Sequence, residues 1–169
     1  METTLIILRG NSGSGKTTIA KHLQKQWGEG TLLVSQDVIR RDMLNVRDRK
    51  KNLSIELIRQ ITKYGKGQCE YVILEGILSK ERYGDMLCDL IDYYQGKALI
   101  YYFDLPFEET VKRHQTRSKK LAFGETELRK WWNPHDYLGD ERERIITKEM
   151  SELEIVKTIV EDSSVIPTR

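Results

Sequence analysis

The sequence predicts a three-layer α/β fold: a five-stranded parallel sheet with helices on both faces. Three observations carry that expectation. Short continuous apolar runs recur along the 169 residues, helical stripes lie between them, and a Gly-x-x-x-x-Gly-Lys-Thr turn directly follows the first run. A continuous apolar run reads as a strand buried on both faces, and strands alternating with helices imply βαβ units.

Leu5-Ile6-Ile7-Leu8, ended by Gly10, is the first strand, and Ile19, Leu23 and Trp27 stripe the helix after it. Leu32–Ser35 is the second strand, followed by a stripe of Leu57, Ile58, Ile61 and Tyr64. Residues 71–74 form the third strand, with Met86, Leu87, Leu90, Ile91 and Tyr94 on its helix. Ala98–Phe103 is the fourth strand, before a helix striped by Phe107, Val111 and His114. A weaker run, Ile145-Ile146, supplies the fifth. Ser151-x-x-Glu154 is a capping box that opens a last helix through Val156, Ile159 and Val160. Residues 118–140 fit neither period. They are polar but hold Phe123, Trp131, Trp132 and Tyr137, so the stretch reads as a lid or a surface helix pair. With the helix end before it, the lid-like excursion covers about 113–140. No repeat, low-complexity tract or linker divides the chain, so 1–169 reads as a single domain.

Composition narrows the class. Charged residues reach 32%, above the usual ~25%, and twelve Gly, three Pro and two Cys exclude collagen-like and disulfide-framework chains. No apolar run approaches the ~20 residues that span a bilayer. The start Met1-Glu2-Thr3-Thr4 lacks the basic region of a signal peptide, which gives the expectation of a cytoplasmic protein without a membrane partner. Cys69 and Cys88 have neither metal-ligand nor redox spacing and read as reduced, packed thiols. A net charge of +2 gives no general argument for nucleic acid. Nothing in the sequence sets the oligomeric state.

Gly10-Asn11-Ser12-Gly13-Ser14-Gly15-Lys16-Thr17 matches the phosphate-binding P-loop pattern in full. The glycines let the backbone curl so that successive N–H groups point at phosphate oxygens, and the helix N-terminus behind them adds positive potential. Lys16 supplies a cation for the β- and γ-phosphates, and the Thr17 hydroxyl coordinates Mg²⁺. The loop, with Thr18 beside it, is therefore a phosphate and Mg²⁺ site.

On this motif and the element order, the chain resembles the P-loop kinases of the nucleoside-monophosphate-kinase-like branch. Within it the chain is similar to the group of zeta toxins, antibiotic phosphotransferases, adenylylsulfate kinase and polynucleotide kinase. The resemblance implies transfer of the ATP γ-phosphoryl to a hydroxyl of a small molecule or a nucleic-acid end, with Lys16 among the catalytic residues.

Asp37 ends the second strand, read as lying beside the P-loop strand, and Arg40 follows three residues later. The Asp-x-x-Arg pattern is similar to that of polynucleotide kinase and adenylylsulfate kinase. It implies Asp37 as the base for the acceptor hydroxyl and Arg40 as an acceptor-holding residue, with Arg41 as a further contact. The alternative makes Asp37 a helix N-cap. Glu75-Gly76 ends the third strand, where many P-loop proteins carry an Asp. Glu75 could hold a Mg²⁺-bound water, contact the acceptor, act as the base in place of Asp37, or be a strand-end charge; Gly76 allows close backbone approach. Arg113 and Arg117 share a helix face and look like the lid arginines of adenylate-kinase-type enzymes, Arg113 on adenine and Arg117 on phosphate oxygens. The alternative is a solvated pair bridged to Glu109, with Lys119 and Lys120 solvated.

His114 and His22 read as packing and surface residues, Trp131-Trp132 as a buried anchor rather than a base-stacking platform, and His135-Asp136 has no reading. Arg40, Arg41, Arg47, Arg49, Lys50 and Lys51 cluster on the acceptor side, but Asp42 and Asp48 dilute the field, so a nucleic-acid acceptor is open and not favoured. A GTPase is disfavoured by the lack of an Asn-Lys-x-Asp motif after the fourth strand. Motor-type and oligomeric ATPases usually need more chain. The non-catalytic alternative is an ATP-binding sensor, with a simple P-loop ATPase beside it.

Overall fold

In the computed structural model, residues 1–116 and 124–166 are described. Their sheet has the order β2-β3-β1-β4-β5, formed by Leu32–Ser35, Tyr71–Gly76, Thr4–Gly10, Ala98–Phe103 and Glu143–Ile146. All four pairings are parallel. The helices are α1 (Lys16–Trp27), α2 (Leu53–Gly65), α3 (Lys80–Tyr93), α4 (Phe107–Gln115), α5 (Glu125–Trp131) and α6 (Glu152–Val165). A π-turn at Val38–Met43 follows β2, its Leu44 N–H donating to the Ile39 carbonyl five residues back.

The alternation of a strand decides the layers. Leu5 and Ile7 of β1 face a core with Ile58 of α2 and Leu87 and Leu90 of α3. Ile6 and Leu8 face the opposite core, with Ile19 and Leu23 of α1 and Ile155 and Ile159 of α6. Ser151 opens α6 with the expected capping box: its Oγ accepts from the Glu154 N–H, and Glu154 accepts from the Ser151 N–H.

Three expectations change. β3 lies between β1 and β2, so the second strand is not beside the P-loop strand; Asp37 stands one strand further out and Glu75 beside the loop. Cys88 is exposed and Cys69 only half-buried, because Cys88 falls on the outer side of α3. Trp131 is 44% exposed, whereas Trp132 does the anchoring, edge-on to Phe107 at 5.5 Å. Among the described residues the excursion holds the single short helix α5, with the Arg129 guanidinium over the Phe107 ring. No helix among them is long and apolar enough to cross a membrane.

Candidate active site

Parallel strands end on one edge, so residues following β1, β2, β3 and β4 converge there. β1 feeds the loop 10–15, and α1 begins at Lys16 directly behind it. Gly13 has φ +80°, and a Cβ on it would lie 2.7 Å from the Thr110 carbonyl oxygen of α4, so that position requires glycine. Gly10, Gly15 and Ser14 complete the curl. The Lys16 ammonium folds across the loop and donates to the Asn11 carbonyl at 2.8 Å and to Ser14 Oγ at 3.0 Å. Ser12 and Gly13 line the loop's hollow with Lys16 and Thr17, a space of about 40 Å³.

Glu75 joins the ends of β2 and β3 to the first turn of α1. It is 4% exposed, and its carboxylate accepts from Thr17 Oγ1 at 3.2 Å and from Ser35 Oγ at 2.8 Å. A buried carboxylate needs such donors to offset its lost hydration. Thr17 and Glu75 thus present hard oxygen donors, the chemistry that suits Mg²⁺. No group of three or more His, Cys, Asp or Glu among the described residues could hold a metal. A Mg²⁺ here would take its remaining ligands from phosphate and water, as Mg²⁺ ordinarily does. Gly76 is required by a side chain rather than by backbone: a Cβ there would sit 2.3 Å from Gln36 Oε1, which accepts from the Leu78 N–H.

Asp37 has helical dihedrals and makes no side-chain cap, so the N-cap alternative fails. Its carboxylate faces Arg40 at 3.6 Å and Arg41 at 3.8 Å. These two arginines differ. Arg40 is largely buried and donates to the Val46 carbonyl at 3.0 Å, bracing the loop beyond the π-turn. Arg41 is half open and lines both the P-loop hollow and the cleft beyond it.

Two larger clefts flank the loop. One, about 550 Å³, is lined by Ser14, Gly15, Thr18 and Arg113 together with the 148–152 segment before and within the first turn of α6. The other, about 610 Å³, opens between α1 and the π-turn and shares Thr17, Asp37, Arg41 and Glu75 with the P-loop hollow. Arg113 bridges the first cleft to the loop: Nη1 donates to the Ser14 carbonyl at 2.9 Å and Nε to Glu109 at 3.0 Å. Arg117, with Lys119 and Lys120, lies outside the described residues. His114 is buried and reaches the P-loop hollow, and His22 pairs with Glu152 on the surface.

Sequence reasoning missed the group that ties the excursion to the loop. Arg9, fully buried at the end of β1, donates to Glu143 at 2.8 Å, to the Asp136 carbonyl at 2.7 Å and to Asp136 Oδ2 at 3.1 Å. It also donates to the Leu78 carbonyl at 3.1 Å. Beside it, the Asn11 side chain donates to the Asn133 carbonyl and accepts from the Asn133 N–H. An arginine inside a strand buried on both faces was the available signal, because a buried charge demands partners. Asp136, unread in the sequence, is one of them. Its neighbour His135 bonds Asp104 at 3.0 Å, and Tyr137 donates to the same carboxylate at 2.6 Å, which pushes the phenol up to about 12.

A family model described as an AAA domain matches residues 5–131. The chain belongs to this AAA-domain family. The match takes in the P-loop, Asp37, Glu75 and Arg113 of this AAA domain. No curated protein matches it. Solved structures do. The APS kinase CysC of Mycobacterium tuberculosis is 15% identical with a TM-score of 0.69, covering 95% of this chain and 96% of that one. A gluconokinase from Sinorhizobium meliloti is 15% identical with a TM-score of 0.65, over 96% and 93% of the two chains. The shikimate kinase of Acinetobacter baumannii is 15% identical with a TM-score of 0.59, over 98% and 96%. At such identities the likeness is one of fold, and this AAA-domain chain has the fold of the small P-loop kinases.

Proposed function

We propose that the protein is an ATP- and Mg²⁺-dependent phosphotransferase that moves the γ-phosphoryl group to a hydroxyl acceptor. The observation that carries this reading is the pair of large clefts flanking the P-loop, one against Ser14, Gly15 and Thr18 and the other sharing Thr17, Asp37 and Glu75 with the loop's hollow. A sensor or a simple ATPase needs a compartment for the nucleotide alone, whereas transfer needs a second for the acceptor. The kinase neighbours support a phosphotransferase with a small-molecule acceptor; a nucleic-acid end is not favoured.

In this reading the loop amides and Lys16 hold the donor phosphates. Arg113 meets the nucleotide in the cleft beside Thr18, and the 113–140 excursion acts as a lid of a single domain, bringing Arg117 to the phosphoryl group. Thr17 would ligate Mg²⁺ directly and Glu75 through a water. The ion, when bound, neutralises charge on the β- and γ-phosphates. Asp37 accepts the acceptor's hydroxyl proton from the far side of the loop, and Arg41 holds that acceptor.

The test is transfer of labelled γ-phosphate from ATP to a mixed panel of hydroxyl compounds, run beside an acceptor-free control. Acceptor-dependent appearance of a phosphate ester supports the reading. ATP hydrolysis at the same rate with and without every acceptor contradicts it.

A further inference from the structure

We propose that the cleft between α1 and the π-turn takes an uncharged alcohol with an apolar body, and that anionic acceptors are poor substrates; this rests on the phosphotransferase reading above. Most of the cleft's exposed lining is apolar. Leu33 and Val34 of β2, Ile61 of α2, and Val38, Ile39 and Met43 of the π-turn line it. Val38 and Met43 are 47% and 57% exposed, so these side chains meet solvent when the cleft is empty of substrate. The i→i+5 bonding of the turn brings residues five apart close to register, which sets Val38 and Met43 on the same side.

Charge gives the second half of the argument. Among the described lining residues the cations are Lys21 and Arg41 and the carboxylates are Asp37, Asp42 and Glu75. Arg41 already faces Asp37 at 3.8 Å. Arg40, the other cation at Asp37, is engaged with the Val46 carbonyl and is not among the lining residues. A carboxylate or phosphate on the acceptor would enter a space where three carboxylates face two cations, one of them already beside Asp37, and would lose hydration against a net negative lining. A neutral apolar body loses nothing of the kind and gains by leaving water. At about 610 Å³ the cleft is of the size that small-molecule sites have.

The polar end lies at the P-loop side, where Thr17, Asp37 and Glu75 line both the cleft and the loop's hollow. The acceptor's hydroxyl oxygen bonds the γ-phosphorus as the bond from that phosphorus to the β–γ bridging oxygen breaks. ADP leaves with that bond pair, and the hydroxyl proton passes to the Asp37 carboxylate.

The experiment uses the full chain with ATP–Mg²⁺ and a series of primary alcohols from phenylmethanol to 4-phenylbutanol, each paired with its ring-carboxylated counterpart. The expected result is kcat/KM rising up to about fourfold per added methylene until the cleft is filled. Each carboxylated partner falls at least tenfold below its neutral parent. Met43→Arg, which places a third cation in the cleft, narrows or inverts that gap, and its ATP affinity reports that it is folded. Equal or better turnover of the carboxylated series overturns the proposal. Should no acceptor be phosphorylated, saturation-transfer NMR with a non-hydrolysable ATP analogue decides. Binding in the same rank order upholds the cleft's preference while the phosphotransferase reading falls; no binding, or the reverse order, overturns the proposal itself.

Discussion

Glu75→Gln isolates the charge where the P-loop hollow meets the cleft beside the π-turn, while keeping its shape. The side chain is buried and accepts from two hydroxyls, Thr17 Oγ1 at 3.2 Å and Ser35 Oγ at 2.8 Å. A hydrogen bond to a charged acceptor contributes about 1.5–3 kcal/mol and one between neutral groups about 0.5–1.5 kcal/mol. Neutralising the carboxylate therefore removes on the order of 1 kcal/mol from each bond, roughly 2 kcal/mol for the pair. Relief of the desolvation of a buried charge offsets part of that. With a urea slope of about 1–3 kcal/mol per molar, the unfolding midpoint should move by less than about 2 M, with the transition still cooperative. Function should suffer more than stability. A group that orients a metal's water and the Thr17 ligand typically controls about 10–100-fold in metal affinity or activity. The assay is a Mg²⁺ titration of phosphoryl transfer at saturating ATP, beside a urea melt of the same preparation. A rise of about 10–100-fold in the Mg²⁺ concentration for half-activation is expected. A Gln variant with wild-type Mg²⁺ dependence refutes the reasoning and returns Glu75 to a strand-end charge.

Three further outcomes are expected. Arg9→Met leaves Asp136 and Glu143 without their buried partner and should lower stability by about 3–5 kcal/mol, read by urea denaturation; a change under about 1 kcal/mol contradicts the network. Arg41→Ala should raise the acceptor KM with stability unchanged. Arg40→Ala should instead cost about 1–3 kcal/mol through the stranded Val46 carbonyl, and the reverse pattern in kinetics and melts would exchange their roles. Burial raises the phenols of Tyr83, Tyr94, Tyr101 and Tyr102 above the ordinary value of 10.0. The unfolded chain then loses these protons first, so their contribution is complete below about pH 10 and falls as pH rises beyond it, by at most about 1.4 kcal/mol per pH unit for each tyrosine. A urea midpoint that is flat from pH 8 to pH 11 contradicts this.

Particular residues show what the sequence could and could not convey. The five strands and the helices facing them were readable, because burial on two faces writes a continuous apolar run such as Leu5-Ile6-Ile7-Leu8 and amphipathic helices write a stripe. The P-loop was readable for the same local reason: its glycines answer to backbone curvature within eight residues. Strand order was not, since Leu32–Ser35 pairs equally well with any apolar neighbour and only the fold sets β3 between it and β1. The two arginines at 40 and 41 look alike in sequence, and their division follows from the π-turn, which sends one inward to Val46 and leaves the other at the clefts. Asp136 and Asn133 had no local signature at all, because their partners Arg9 and Asn11 lie more than 120 residues away. The 148–151 stretch reads as the lead-in to a helix cap, and only tertiary structure sets it against Arg113 and Thr18.

The central claim, that the chain transfers phosphoryl groups rather than merely holding ATP, is tested most directly by phosphoryl transfer in Asp37→Asn measured beside ATP binding. Asp37 makes no cap to lose and Asn keeps its shape, so ATP affinity should match the parent protein, and weakening the long ion pairs to Arg40 and Arg41 should cost stability no more than about 1 kcal/mol. Loss of the base should lower acceptor-dependent transfer by at least roughly 10²-fold. Undiminished transfer in the Asn variant, with ATP binding intact, would contradict the account.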